Sequence, residues 1–509
     1  MYKILKTLKD TYITDRVIKG VRSHNANVGL AGSLDLFKLY GATRSGSNDN
    51  NELSRLLLQF DYTNLRNDVA TGAVNMNSSN FKCFLNLKSV HGGQTHPSNF
   101  KIVIHPLSKS FDEGTGRDVV FYQDRDIANF LTASSNSTWN VSGANGVGTL
   151  GASNIDIISS GNLNDGYGLS ALWVTQSFPL GTEDLNVDIT RIVSGTIAGL
   201  IPDNGFRISF VQEQENDQQT RFVKRFASGD AYNKELHPKI IIKYDDSIAN
   251  NIGNFVFDNS GSVFFYNKVR GSLKNITSGS STLTGTNCLL LKLQTTLTGA
   301  GTYTQYVTAS QYNNGVGYVT GTYYATFSVP STQNVIKQAL IVSGSTLTFD
   351  QIWSSLDNSV SFYSGTLDVS LPKSNNENYG PTRYRVTATN VFSNYTVTDK
   401  VRIRVFIENV DIPYSKVVRT FLETPPAFPE TVHFLIRNSV SEEIVIPYDT
   451  TYNSTKLSAD SKSMFFDLDM SNFYEGNLYE IDIMIVENGN QTFYRNVSAP
   501  FKIDQIATT

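Results

Sequence analysis

The sequence predicts an all-β protein of tandem antiparallel β-sandwiches, a large jelly-roll-like one followed by immunoglobulin-like modules. Three observations carry that expectation. Short runs rich in Val, Ile, Phe, Tyr and Thr recur throughout the 509 residues. Clusters of Gly, Asn, Ser and Asp separate these runs, and a sustained 3.6-residue apolar period is nearly absent.

In chain order the strand candidates include "FKCFLNLKSV", "FKIVIHPL", "FRISFVQE", "PKIIIKYD", "SVFFYNKV", "YYATFSVP", "KVRIRVFIENV", "TVHFLIRN" and "YEIDIMIVENG". Their spacing is that of sandwiches rather than of alternating strands and helices. The best helix candidate is "STQNVIKQAL", with Ser331 or Thr332 as its cap. At 509 residues the chain is too long for one core and implies roughly two to four domains. Composition shifts place the units at 1–246, 247–410 and 411–509. The first ends in "HPKIIIKYDD", the second in "DKVRIRVFIENV", and the third carries "TPPAFPE" and closes with "VSAPFKID".

Composition excludes several partner classes. Charged residues make up 17% and the formal net charge is -4, so no basic field is offered to nucleic acid or an anionic membrane. No stretch of eighteen apolar residues exists to insert into a bilayer. The start, "MYKILKTLKDTYITD", has lysines at 3, 6 and 9 and no apolar signal-peptide core, which leads us to expect assembly in a reducing cytoplasm. Cys83 and Cys288 form no disulfide framework. The sequons at Asn77, Asn136, Asn140, Asn275, Asn394, Asn453 and Asn496 read as a consequence of abundant Asn, Ser and Thr.

Chemical motifs fare poorly on their own requirements. "GVGTLG" (Gly146 to Gly151) matches a dinucleotide-binding pattern but lacks a preceding parallel strand and a following helix. His91, His96 and His105 have no Cys or carboxylate at ligand spacing, and "HGGQTHP" reads as a turn. "NDNNELS" and "SFDEGTGRD" gather oxygen ligands without the spacing of a calcium loop. Asp112, Glu113, Asp184 and Asp188 are acid–base candidates that cannot be paired across a cleft from sequence, and no nucleophile motif occurs. Neither a cofactor nor a metal is expected, and the chain is read as not an enzyme. Trp139 in "SSNSTWNVSG" and Tyr167 in "NDGYGL" lie in loop-like contexts and are the candidate glycan contacts, whereas Trp173 in "SALWVTQSF" reads as core.

The blocks "DTYITD", "SRLLLQFD", "FKCFLNLKSV", "RFVKRFAS" and "HPKIIIKYDD", in that order over about half of the chain, resemble a DNRLRE-type domain. That β-sandwich family occurs on microbial surface proteins and beside polysaccharide-degrading modules. Over the whole chain, "GTEDLNVDIT", "DNGFRISF", "IPYDTTYNSTKLSADSKSMFFDLDM" and "EGNLYEIDIMIVENGNQTFYRNVSAPFKID" resemble structural proteins of tailed bacteriophages. The resemblance implies a virion component of the neck, collar or tail, assembled in the host cytoplasm. Its implied partners are other virion proteins, such as a neck or tail ring or tube, and copies of itself in a symmetric homo-oligomer. The alternative is a carbohydrate-binding, host-surface recognition module with a glycan partner.

Arg55 opens the block "SRLLLQFD". Alternation sends Leu56, Leu58 and Phe60 to one face and Arg55, Leu57, Gln59 and Asp61 to the other. Sharing a face with Leu57 implies an edge position or a covered second face. The resemblance to the DNRLRE-type family places this block among the framework strands, which implies that Arg55, Asp61, Asp10 and Asp15 are fold markers, with Asp10 or Asp15 as the carboxylate that accepts the guanidinium in bidentate geometry.

Overall fold

A computed structural model describes residues 1–41, 51–71, 74–76, 78–90, 96–117, 119, 127–247, 254–269, 272–279, 281–297, 301–313, 317–371, 382–411, 426–429, 431–460, 462–487 and 489–504. Strands take 50% of the chain and helices 9%, which makes it an all-β protein of several sandwiches. His91 and parts of "NDNNELS" and "TPPAFPE" lie outside the described residues.

The first sandwich contains β1 (Tyr2–Thr14), β2 (Ser33–Tyr40), β3 (Asn51–Phe60), β4 (Lys82–Leu87), β5 (Phe100–Pro106), β6 (Val174–Phe178), β7 (Leu185–Asp188), β8 (Phe206–Phe210), β9 (Arg221–Ala227) and β10 (Lys239–Lys243). Their order is β6-β5-β8-β3-β1-β10-β4-β7, with β2 beside β3 and β9 beyond β2. The long first strand serves both leaves. Its start pairs with β10 (Ile4 opposite Ile241) and its end with β3 (Tyr12 opposite Leu56), and the register slips between Thr7 and Lys9. Such a bulge bends a strand and lets it turn from one leaf into the next. Leu56, Leu58 and Phe60 fill the core with Cys83, Leu85, Ile102, Ile104, Ile208, Ile240 and Ile242. Three short helices, α1 (Thr63–Ala70), α2 (Thr190–Ile197) and α3 (Gln212–Asn216), connect strands; each is too short to show an amphipathic period in the letters.

The second sandwich comprises β11 (Asn254–Val256), β12 (Gly261–Tyr266), β13 (Leu289–Leu297), β14 (Gly301–Asn313), β15 (Tyr318–Phe327), α4 (Asn334–Ser343), β16 (Thr346–Ser354) and β17 (Ser361–Ser370). Order is β11-β17-β16-β13-β14-β15-β12. Here β14 is the shared strand, pairing with β13 through Gly301–Ala309 and with β15 from Ser310 onward. The core is this unit's own, built on Trp353, Tyr323, Phe349 and Leu291. Helix α4 is the one expected from "STQNVIKQAL", but its cap is Gln333, whose side chain accepts the Val335 N–H at 3.1 Å, while Ser331 bonds Asp258 instead.

The third sandwich corrects a boundary. It contains β18 (Tyr384–Ala388), β19 (Asn394–Thr396), β20 (Lys400–Asn409), β21 (Thr431–Asn438), β22 (Ile444–Ile446), β23 (Ser458–Ala459), β24 (Met464–Asp469), β25 (Leu478–Glu487), β26 (Asn490–Tyr494) and β27 (Phe501–Asp504). One leaf is β18-β20-β24-β23, the other β19-β27-β25-β21-β22 with β26 on β25. The break expected at 410 therefore falls inside this unit: β20 pairs with β24, and Ile403, Val405 and Ile407 lie in its core. An alternating strand does not reveal in sequence which core it fills. Across the leaves Phe434 stacks on Phe466 with centroids 4.1 Å apart.

The first and third sandwiches share a clasp. Tyr2 and Ile4 of β1 point away from the first core into the third, packing with residues such as Phe473, Tyr479 and Ile481. The side-chain amide of Asn472 closes the open edge of β1: its oxygen accepts the Ile4 N–H at 2.8 Å and its nitrogen donates to the Tyr2 carbonyl at 3.1 Å. An edge covered in this way cannot recruit another strand. Lys6 donates to the Phe473 carbonyl at 2.6 Å, and the Tyr479 hydroxyl donates to buried Glu235 at 2.8 Å. Lys3, 2% exposed, binds Asp68 of α1 and sits 3.7 Å from Asp469, so its buried charge is compensated.

Candidate binding surface

The outer face of β3 and β8 is the most chemically loaded part of the described residues. Arg55, Leu57 and Arg207 point to it, and residues within 107–117 and 127–157 fold down as a second small core of Leu107, Phe111, Ala128, Ala133, Trp139, Ala144 and Ile157 against Ile13 and Leu57. Strand β3 is interior, between β1 and β8, so the covered second face is realised and the edge position is not. That cover leaves Arg55 3% exposed. Its partner is Glu215 of α3, not Asp10 or Asp15: Nε donates to Oε1 at 3.0 Å and Nη2 to Oε2 at 2.6 Å. Nη1 donates to the Gly143 carbonyl at 2.7 Å. The sequence offered no sign of this pairing, because 160 positions separate the two residues.

Beside it, Arg207 donates to the Asn145 side chain at 2.8 Å and to Ser209 Oγ at 2.9 Å. Burial, and then Arg55, make this guanidinium less basic than usual. Asp156 closes the same loop from above, accepting the N–H groups of Asn140 (2.8 Å), Val141 (2.9 Å) and Gly146 (2.8 Å). Buried carboxylates are tolerable when so fully hydrogen-bonded. Glycines are needed here for closeness: a Cβ on Gly143 would run into the Arg55 guanidinium and the Phe130 ring. "GVGTLG" owes its first glycine to the same crowding, since a Cβ on Gly146 would lie 2.8 Å from Asp156 Oδ2.

The other expected markers go elsewhere. Asp15 pairs with Arg22 at 2.6 Å and accepts the Leu53 N–H at 2.6 Å. Asp61 is exposed and accepts the Thr63 N–H at 2.8 Å where α1 begins, and these bonds lower its carboxyl pKa. Asp10 is buried without a cation; its Oδ2 accepts the Gly229 N–H at 2.8 Å. Burial, reinforced by Glu113 and Asp230, pushes Asp10 up to about 7. Its unfolded value is about 3.9, so between those limits the folded chain holds more protons than the unfolded one, and stability falls as pH rises from 4 to 7. Asp10→Asn keeps the acceptor and removes the charge. Urea unfolding should show a gain of about 2–4 kcal/mol at pH 8 and almost none at pH 4; an equal gain at both would contradict the assignment.

Of the glycan candidates, Trp139 is corrected to a core residue: it is 4% exposed and its indole N–H donates to the Asn129 carbonyl at 2.9 Å. Its polar sequence context describes a loop, but one that folds onto a sheet. Trp173 reverses in the other direction, 44% exposed and tilted against His105 at 6.5 Å. Tyr167 is 76% exposed at the tip of a hairpin. Arg191 of α2 holds that tip, donating to Asp165 at 2.6 Å and to the Ala171 carbonyl at 2.7 Å, with its guanidinium 5.6 Å from the Tyr167 ring.

The acid–base candidates do not converge. Asp184 binds Lys88 at 2.9 Å, Asp188 lies 3.6 Å from Lys82, Asp112 lies 3.8 Å from Lys9, and Glu113 accepts the Asp10 N–H. An open hollow of about 530 Å³ is lined by Ser108, Lys109, Ser110, Asn140, Asn154 and Asn204, and the Lys109 ammonium there donates to the Thr138 carbonyl at 2.6 Å. Among the described residues no three metal-ligating side chains gather, and no helix is long and apolar enough to cross a membrane.

No protein-family model and no curated protein matches the chain. Solved structures that it overlays in part include native α2-macroglobulin of Escherichia coli (10% identity, TM-score 0.16, covering 83% of this chain and 20% of that one). The trypsin-activated E. coli protein (10%, 0.17, 91% and 23%) and a Salmonella α2-macroglobulin mutant (8%, 0.15, 93% and 26%) are others. The chain spans about a quarter of their length or less, and such TM-scores assign neither fold nor function.

Proposed function

We propose that the chain is a non-enzymatic structural component of a tailed-bacteriophage virion, placed at the neck, collar or tail. In this reading it forms a symmetric homo-oligomer and docks on a ring or tube of the tail machine. The observation that carries the reading is the clasp: β1 contributes to the cores of the first and third sandwiches, which makes them one stiff block. The second sandwich keeps a core of its own. A stiff base with a separately folded module suits a part that transmits position rather than turning over substrate. Both cysteines are buried and free, so this stiffness rests on packing and ion pairs. Repetition around an axis would multiply weak contacts.

Quantitative mass spectrometry of purified particles tests the proposal. A fixed number of copies per particle, matching a ring symmetry, is expected; absence of the chain from particles would refute it. A second reading, recognition of a host-surface glycan, is favoured by the exposed, Arg191-supported ring of Tyr167.

A further inference from the structure

We propose that the outer face of β12, β14 and β15 in the second sandwich is a binding platform for a neutral oligosaccharide. The proposal stands apart from the virion reading and from Tyr167, since it concerns a different unit. Phe264 and Tyr266 alternate outward on β12, while Phe265 between them turns into the core. Tyr324 on β15 lies opposite Phe264 in register, and Tyr312, next to last in β14, stands beside them. Phe264 lies 6.3 Å from Tyr266 with planes 14° apart, and 6.0 Å from Tyr324 at 26°. Tyr312 stands edge-on at 5.5 Å from Phe264 and 5.9 Å from Tyr324. All four rings remain partly exposed.

Burying aromatic area is the normal fate of such rings, so a cluster of four facing outward offers unspent contact surface. Its surroundings select the ligand. Stretches 262–266, 310–312 and 322–326 contain no Asp, Glu, Lys or Arg, so the strand segments that carry the rings place no countercharge beneath an ionic ligand. The rim instead carries hydroxyls: Ser262 and Thr326 share a 2.9 Å hydrogen bond in which either can donate, leaving them free to reorient. Among the described residues the phenol oxygens of Tyr312 and Tyr324 make no hydrogen bond to protein. Rings for the apolar C–H face of a pyranose, with adaptable donors and acceptors for its hydroxyl edge, fit an uncharged sugar chain.

The test is titration calorimetry of the full chain against neutral hexasaccharides (cellohexaose, laminarihexaose, mannohexaose), after a glycan-array screen. Binding to at least one is expected. Tyr312→Ala and Tyr324→Ala should each weaken it by about tenfold or more, while Tyr324→Phe, which keeps the ring, retains most of it. Unfolding midpoints of the variants report whether the sandwich is intact. No binding to any neutral glycan, or unchanged binding in the Tyr312→Ala/Tyr324→Ala double variant, would overturn the proposal. So would loss of binding through Tyr167→Ala alone, or self-association of the chain that the double variant abolishes.

Discussion

Replacing Arg55 with alanine should cost the first sandwich about 3–5 kcal/mol, the range seen when one partner of a buried ion pair is removed. The guanidinium makes three hydrogen bonds, two to Glu215 and one to the Gly143 carbonyl. Truncation would strand a carboxylate that is 4% exposed, and would release the loop that carries Gly143. Most of the loss is thus the desolvation of Glu215 rather than the net worth of the pair. It follows that Arg55→Met combined with Glu215→Leu should lose far less than Arg55→Ala alone, by about 2 kcal/mol or more. Calorimetric unfolding of the three proteins decides this. Wild-type stability in Arg55→Ala, or a double variant worse than the single, would refute the account of the cluster.

Ile4→Ala should lower the first and third sandwiches together by about 2–5 kcal/mol, as truncation of a fully packed side chain does. Ile4 lies on a strand of the first sandwich, yet its side chain packs in the third. A cavity there would loosen Tyr2, Phe473 and Tyr479 and weaken the Asn472 hold on the β1 backbone. The second sandwich has its own core and should not respond. A calorimetric scan is expected to resolve two transitions, of which Ile4→Ala moves only the one belonging to the clasped pair. Three independent transitions, or a shift confined to the first sandwich, would show that the joint does not couple the two units. A single unfolding free energy for the whole chain would have no meaning in either case.

The strands were legible because alternation survives in the letters: "SRLLLQFD", "FKIVIHPL" and "TVHFLIRN" all form strands. Two features were not. Which core a strand fills depends on pairings far along the chain, and β20 passed for the end of the second unit although its partner is β24. Burial of loop residues depends on what a loop folds onto. Trp139 sits in a run of polar letters and is core; Trp173 sits in an apolar run and faces water. The covered second face of Arg55 was legible from its place beside Leu57, but its partner Glu215 was not, since "QEQEN" has the letters of an exposed turn. Phe264, Tyr266 and Tyr324 of the aromatic face of the second sandwich stand in the runs "SVFFYNKV" and "YYATFSVP", where alternation along each strand sends every second residue outward. Only the register of β12 against β15 brings Phe264 and Tyr324 together.

Under the proposed virion reading, cryo-electron microscopy of tailed-bacteriophage particles whose genome carries this sequence tests the central claim most directly. The account predicts symmetric density outside the capsid, at the neck or tail, into which the clasped first and third sandwiches fit as one body. Density for the chain inside the capsid, or particles that lack it, would contradict the account.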